Sequence, residues 1–226
     1  MASACELEKC REVRDAVQAV LASRVDERTT AGQRLCLLSA ILQNQWAGKQ
    51  GAGLSLGQFQ DMLWKDMLFD RDPRFTEPGE AAEDHDVDYA FMGHPLSHKT
   101  IGWNGGGDLA LSWSKNPPEG HRRTQFTSDV VIVVTRRPSK RPGIWTGLGN
   151  GCFVVPRAWL EENVVLGSNN KTDALIQRKD TTRALRHAMD SDLYVPLAYN
   201  HAAGLGQRLS LWKAGAAAIV HEGESH

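Results

Sequence analysis

Apolar positions recur at helical spacing through the first third of the chain and in short strand-like runs beyond it. Over residues 5–24, Val13, Val17, Val20 and Leu21 share one side of a 3.6-residue repeat, with charges between them. That pattern predicts an amphipathic helix. Thr29 or Thr30 can cap a second helix reaching about Trp46, with Leu35, Leu37, Leu38, Ile41 and Leu42 as its buried side. A glycine-rich break spans 48–53. Ser55 then reads as the N-cap of a third helix that turns Leu56, Phe59, Leu63 and Met67 to one face. Asp70-Arg71-Asp72-Pro73 ends it, and 70–84 reads as loop.

From residue 87 the texture changes. Candidate strands cover 87–92, 97–102, 108–114, 128–135 and 151–155, with turns at Gly93-His94-Pro95 and at 104–107. The run at 128–135 is apolar on both faces, which places it at the centre of a sheet. Pro156 opens a short helix with Trp159 and Leu160. Thr172 caps a longer one that turns Leu175, Ile176, Leu185 and Met189 inward. A strand near 193–197 and an apolar tail from Ala214 to Val220 finish the chain. This order predicts an α/β (α+β) fold, a central mixed sheet of about five strands flanked by helices. A helical segment (1–70) precedes an α/β core (84–200), within one domain covering 1–226.

Composition narrows the classes. With 41% hydrophobic and 23% charged residues in 226, the chain is globular rather than disordered or collagen-like. Lys+Arg (26) against Asp+Glu (27) leaves a net charge of −1, unlike a histone or a polybasic membrane binder. The longest aliphatic run, 130–134, falls far short of the ~20 residues of a membrane span. Glu6, Glu8 and Lys9 stand where a signal peptide would be apolar, so the cytoplasm is the expected location. Cys5, Cys10, Cys36 and Cys152 form no CxxC pair and read as free thiols of a reducing compartment.

The charge is unevenly spread. Between Asp61 and Asp88 stand ten acidic residues against three basic ones. Between Lys115 and Arg141 stand seven basic residues (Lys115, Arg122, Arg123, Arg136, Arg137, Lys140, Arg141) against Glu119 and Asp129. Carboxylates can hold divalent cations, and clustered arginines suit a phosphate backbone.

The sharpest signal lies between the two blocks, at 86–100. Side chains two apart on a strand share a face, so Asp86 pairs with Asp88 and Ser97 with Lys99. If the chain turns at 93–95, Asp88 and Lys99 converge on one side of the sheet. Carboxylates there can bind Mg²⁺, and a lysine beside the ion favours hydroxide and offsets charge on a phosphate.

Those residues resemble the PD-(D/E)XK nuclease superfamily, and within it the type II restriction endonucleases. Asp88 (or Asp86) would be the Asp at the start of one strand, and Ser97-His98-Lys99 the acidic-X-Lys triplet of the next. Ser97 stands where the family has an acid, so Asp86, Glu83, Asp108 or Asp61 would supply the second carboxylate. The resemblance implies a metal-dependent, sequence-specific endonuclease hydrolysing double-stranded DNA. Asp88, Lys99 and Ser97 would form its catalytic group, and Asp88 with Asp86 would hold Mg²⁺. Arg122, Arg123, Arg136, Arg137, Lys140, Arg141 and His98 would face DNA. A homodimer, matching a palindromic target, and a companion DNA methyltransferase are further implications.

Alternatives remain open. A second register would use Asp108 with Ser114-Lys115. Ser112-x-x-Lys115 matches a penicillin-binding-protein motif, but Ser112 falls on a strand rather than at a helix start. Gly147-Leu148-Gly149-Asn150-Gly151 precedes a strand rather than a helix and reads as a turn. The competing functions are a DNA-binding protein without catalysis and a metal-assisted hydrolase of a small substrate.

Overall fold

In the computed structural model, which describes residues 2–46, 52–79, 87–101, 109–112, 128–135, 151–166 and 174–197, two helices start on reciprocal caps. Helix α1 (Ala4–Ala22) begins where Glu6 N–H donates to Ser3 Oγ (3.2 Å) and Ser3 N–H donates to Glu6 Oε2 (2.7 Å). The Ser3 bonds hold the Glu6 carboxyl below its usual range. Helix α2 (Ala31–Trp46) repeats the device with Thr30 and Gln33.

The stripe expected on α1, Val13, Val17, Val20 and Leu21, is buried together with Cys10 and Ala16. On α2, Leu35 is buried beside Cys36, whereas Leu37 and Leu38 are half-buried. The side chains of Ile41, Leu42 and Leu56 lie outside the described residues.

Helix α3 (Ala52–Arg71) starts before Ser55, and its buried stripe is rotated by one position from the expected one. Gln60, Trp64 and Leu68, spaced by four, are buried; Leu63 and Met67 are half-buried, and Phe59 is 40% exposed. Trp64 decides the rotation. Its large indole has the most apolar surface to remove from water, and it packs on the His98 ring with centroids 5.6 Å apart.

The main sheet has six strands, in the order β1 (Phe75–Thr76), β2 (Tyr89–Phe91), β3 (His94–Ile101), β5 (Val130–Thr135), β6 (Gly151–Pro156) and β9 (Tyr194–Pro196). It is mixed: β3 and β5 run parallel, and every other neighbouring pair is antiparallel. Helix α4 (Arg157–Glu161) follows β6, and α5 (Arg178–Asp190) precedes β9. A second, antiparallel sheet joins β4 (Leu109–Ser112), β8 (Ala174–Ile176) and β7 (Val164–Leu166) in that order. The expected α+β architecture with a mixed sheet and an N-terminal helical segment is therefore present, with one strand more than the five foreseen.

Four details differ from the sequence reading. Strand β1 lies inside the stretch read as loop. The hairpin turns on Met92-Gly93, both at positive φ (51° and 81°), so His94 and Pro95 already belong to β3. This is the two-residue loop that matches the natural twist of paired strands. Leu175 and Ile176 form β8 rather than the start of a helix; α5 begins at Arg178 with Gln177 as its N-cap, and Thr172 lies outside the described residues. A short apolar run carries no periodicity that separates strand from helix. The Ala214–Val220 tail and the 104–107 turn also lie outside the described residues.

The core sits on β5 and β6. Val130–Val134 and Cys152–Val155 are buried on both faces, as the apolar run at 128–135 requires. A Cβ at Gly151 would run into the Tyr194 ring and the Val195 carbonyl oxygen, so only glycine lets β9 approach β6 there. All four cysteines are free thiols, three of them buried. Burial pushes Cys10 and Cys36 up to about 12, and Cys152 further still.

Candidate active site

The Met92-Gly93 turn sets the β2–β3 register, pairing Tyr89 with Leu96. At Asp88 the chain leaves the ladder: its N–H donates to Leu96 O at 2.8 Å, and its carboxylate takes over as an acceptor for β3. Asp88 Oδ2 accepts the His98 N–H at 2.6 Å and the Ser97 hydroxyl at 3.2 Å. Lys99 Nζ stands 3.5 Å from the same oxygen. Two hydrogen bonds and an ion pair, from three consecutive residues, therefore fix one oxygen of Asp88. Its other oxygen, Oδ1, takes no hydrogen bond among the described residues. The Asp88 side chain is 27% exposed and that of Lys99 15%. The centre is therefore partly sheltered yet open to solvent.

His98 lies between Ser97 and Lys99, and strand alternation sends its ring to the opposite face. The ring is fully buried between Trp64 and Tyr89, with Asp61 of α3 at its edge. This corrects the reading of His98 as a DNA contact, since a side chain with no exposed area reaches no DNA. Its Nδ1 is 2.9 Å from Asp61 Oδ1, off the line of a good hydrogen bond, so the contact is chiefly electrostatic. The attraction needs a proton on Nδ1, because a lone pair would face the carboxylate with repulsion. Thr100 Oγ1 donates to the same Asp61 oxygen at 3.1 Å. The Asp61 carboxylate thus serves the α3 side of β3, and the substitute role for Ser97 offered to it does not match its place.

A third polar group closes the start of the sheet. Asp129 accepts from Lys9 Nζ at 2.8 Å, with His94 Nδ1 at 3.6 Å and Arg157 Nη1 at 3.8 Å. Its N–H donates to Pro95 O and its carbonyl accepts from Arg157 N–H. In the sequence Asp129 stands out only as an acid within a basic block. The structure makes it a knot joining α1, β3, β5 and α4.

Asp86, Glu83, Asp108, Arg122, Arg123, Arg136, Arg137, Lys140 and Arg141 lie outside the described residues, as do Ser114 and Lys115. Ser112 ends a strand, β4. Among the described residues no group of three or more His, Cys, Asp and Glu side chains is placed to hold a metal ion. No helix among them is long and apolar enough to cross a membrane.

No protein-family model matches the chain, and no curated protein matches it. Among solved structures it is similar to one described as "Restriction endonuclease in complex with substrate DNA". The two are 16% identical with a TM-score of 0.47, over 80% of this chain and 83% of that one.

Proposed function

We propose that the protein is a Mg²⁺-dependent endonuclease of double-stranded DNA, with Asp88 and Lys99 at its centre. The observation that supports it is the gathering of Lys99, Ser97 and the His98 N–H on one oxygen of a partly exposed Asp88. A surface ion pair of no consequence needs none of this, being worth at most about 1 kcal/mol with no fixed geometry.

Magnesium is compatible with such a centre. It takes oxygen ligands and commonly one or two carboxylates, leaving its other positions to water and substrate phosphates. Asp88 Oδ1 is the free donor among the described residues, and Asp86 would be the second carboxylate. When bound, such an ion supplies positive charge and acidifies water. The chain's own residues do the rest. Ser97 and the His98 N–H fix the plane of Asp88. Lys99 holds the attacking water by its oxygen and offsets the charge that grows on the phosphoryl oxygens as the P–O bond to the leaving group breaks.

The grip on phosphates would come from Arg122, Arg123, Arg136, Arg137, Lys140 and Arg141, and guanines suit bidentate arginine. A palindromic target would call for a homodimer, and a companion methyltransferase would protect host DNA.

Incubating the protein with plasmid and phage DNA, with and without Mg²⁺, tests the proposal. Discrete fragments only with the ion are expected. A gel shift without cutting would instead make it a DNA-binding protein, and no interaction with DNA would overturn both readings.

A further inference from the structure

His98 is the one residue of the candidate centre that acts on both faces of β3. Its N–H holds Asp88 Oδ2 at 2.6 Å on one side, and its buried ring meets Asp61 Oδ1 at 2.9 Å on the other. We infer that Asp61, on α3, is a positioning residue for the Asp88–Lys99 centre, acting through His98. This rests on the reading of Asp88 and Lys99 as the catalytic pair.

The residue types support it. The register partner of His98 on β5 is Ile132, fully buried, and the preceding inward residue of β3 is Leu96, also fully buried. An aliphatic side chain would fill the position of His98 at less cost than an imidazole, whose Nε2 has no hydrogen-bond partner. Burying a polar group in that state is costly, because its lost hydrogen bonds to water are not replaced. The imidazole is therefore unfavourable for packing alone, and its use is to accept direction from Asp61.

One oxygen of Asp61 engages both His98 and Thr100, which pins β3 at two inward positions from a single side chain of the helix. Pinning those positions fixes the rotation of the strand about its own axis. That rotation aims the His98 N–H at Asp88. A hydrogen bond weakens steeply as it bends towards 120°, so a small rotation frees the carboxylate and separates it from Lys99. Outer partners of this kind typically contribute about 10- to 100-fold to activity.

The test uses the full chain and two independent readouts. In ¹H–¹⁵N spectra the His98 amide is expected far downfield, and Asp88→Asn moves it upfield by removing the charged acceptor. Asp61→Asn is expected to move the same amide in the same direction while the Val133 amide on β5 stays in place. In single-turnover cleavage, Asp61→Asn lowers the rate about tenfold or more per folded molecule, with DNA affinity in Ca²⁺ changed less than about twofold. Asp61→Glu restores part of the rate. Thr100→Val, which keeps the Asp61–His98 contact, gives a smaller change of the same sign and guards against a folding failure of the first variant. An unmoved amide, or a rate that falls only with the folded fraction, overturns the inference. Should the wild-type chain cut no DNA while the amide moves as described, Asp61 still positions Asp88 and the nuclease reading alone fails.

Discussion

Strands β3 and β5 lie side by side, parallel and in register, yet they are built from opposite materials. Leu96, Ser97, His98, Lys99 and Thr100 face Val130, Val131, Ile132, Val133 and Val134 one for one. The five residues of β5 are apolar and buried, which is what a central strand covered on both faces requires. Strand β3 is nearly as well covered at Ser97 and His98, at 1% and 2% exposure, but four of its five positions there are polar. The fold tolerates valine at these depths, so it does not ask for serine or histidine. The polarity of β3 is what the candidate chemistry needs, and Asp61, Asp88 and the neighbouring main chain compensate for it.

The comparison breaks first at Lys99. Lys99→Ala is expected to slow Mg²⁺-dependent cleavage by about 10²- to 10⁴-fold with DNA binding in Ca²⁺ retained; full activity in a plasmid assay would show that the polar side of β3 serves no chemistry. On β5 the loss should be in stability instead. Ile132→Ala removes buried methyl groups and should lower unfolding free energy by about 2–5 kcal/mol in urea titrations, with cleavage per folded molecule unchanged. Gly151→Ala tests the packing of the neighbouring β6–β9 pair, with a loss of about 1–3 kcal/mol as Tyr194 and Val195 are forced back. An unchanged denaturation midpoint would mean that the pair separates freely.

Two smaller effects sharpen the contrast. Ser97→Ala removes one of the two hydrogen bonds to Asp88 Oδ2. Stability should change by about 1 kcal/mol or less while cutting slows about tenfold, so on β3 activity falls and stability holds, the reverse of β5. The last prediction concerns the apolar interior and pH. Thiols of the unfolded chain ionise near pH 8.5, whereas folded Cys10 and Cys36 keep their protons to about 12. Their folded pKa is raised, so their contribution is complete below about pH 8.5 and is lost as pH climbs from there towards 12. Urea midpoints at pH 7 and pH 10 should show the decline, and Cys36→Ala should flatten it.

Much of this was readable from residue order, for physical reasons that also mark where reading stops. The α1 stripe and the 130–134 run are long enough for periodicity and burial to agree. The Asp88–Lys99 approach follows from hairpin alternation, because the partners are close in sequence. The same alternation puts the His98 ring on the far face, where it is buried. Other features depend on distant partners. Alternation says nothing of strand direction, so the parallel pairing of β3 with β5 was not encoded locally. The one-position rotation of α3 came from Trp64 finding His98, and Asp61 entered through the same contact. Strands β1 and β8, of two and three residues, exist because a neighbour supplies their hydrogen bonds.

The Met92-Gly93 turn carries a consequence for how the molecule comes into being. Tyr89 meets Leu96 seven positions on, whereas Leu96 meets Val130 thirty-four positions on. Closing the longer loop costs about 1.4 kcal/mol more chain entropy, by the logarithmic dependence on length. A tight hairpin forms within about 1–10 microseconds, and a growing chain holds Asp88 and Lys99 before residue 130 has been made. A lone hairpin in water is marginal, however. The Asp88–Lys99 pair is thus assembled early and from neighbours, and it becomes durable only when a far-off strand arrives to hold it.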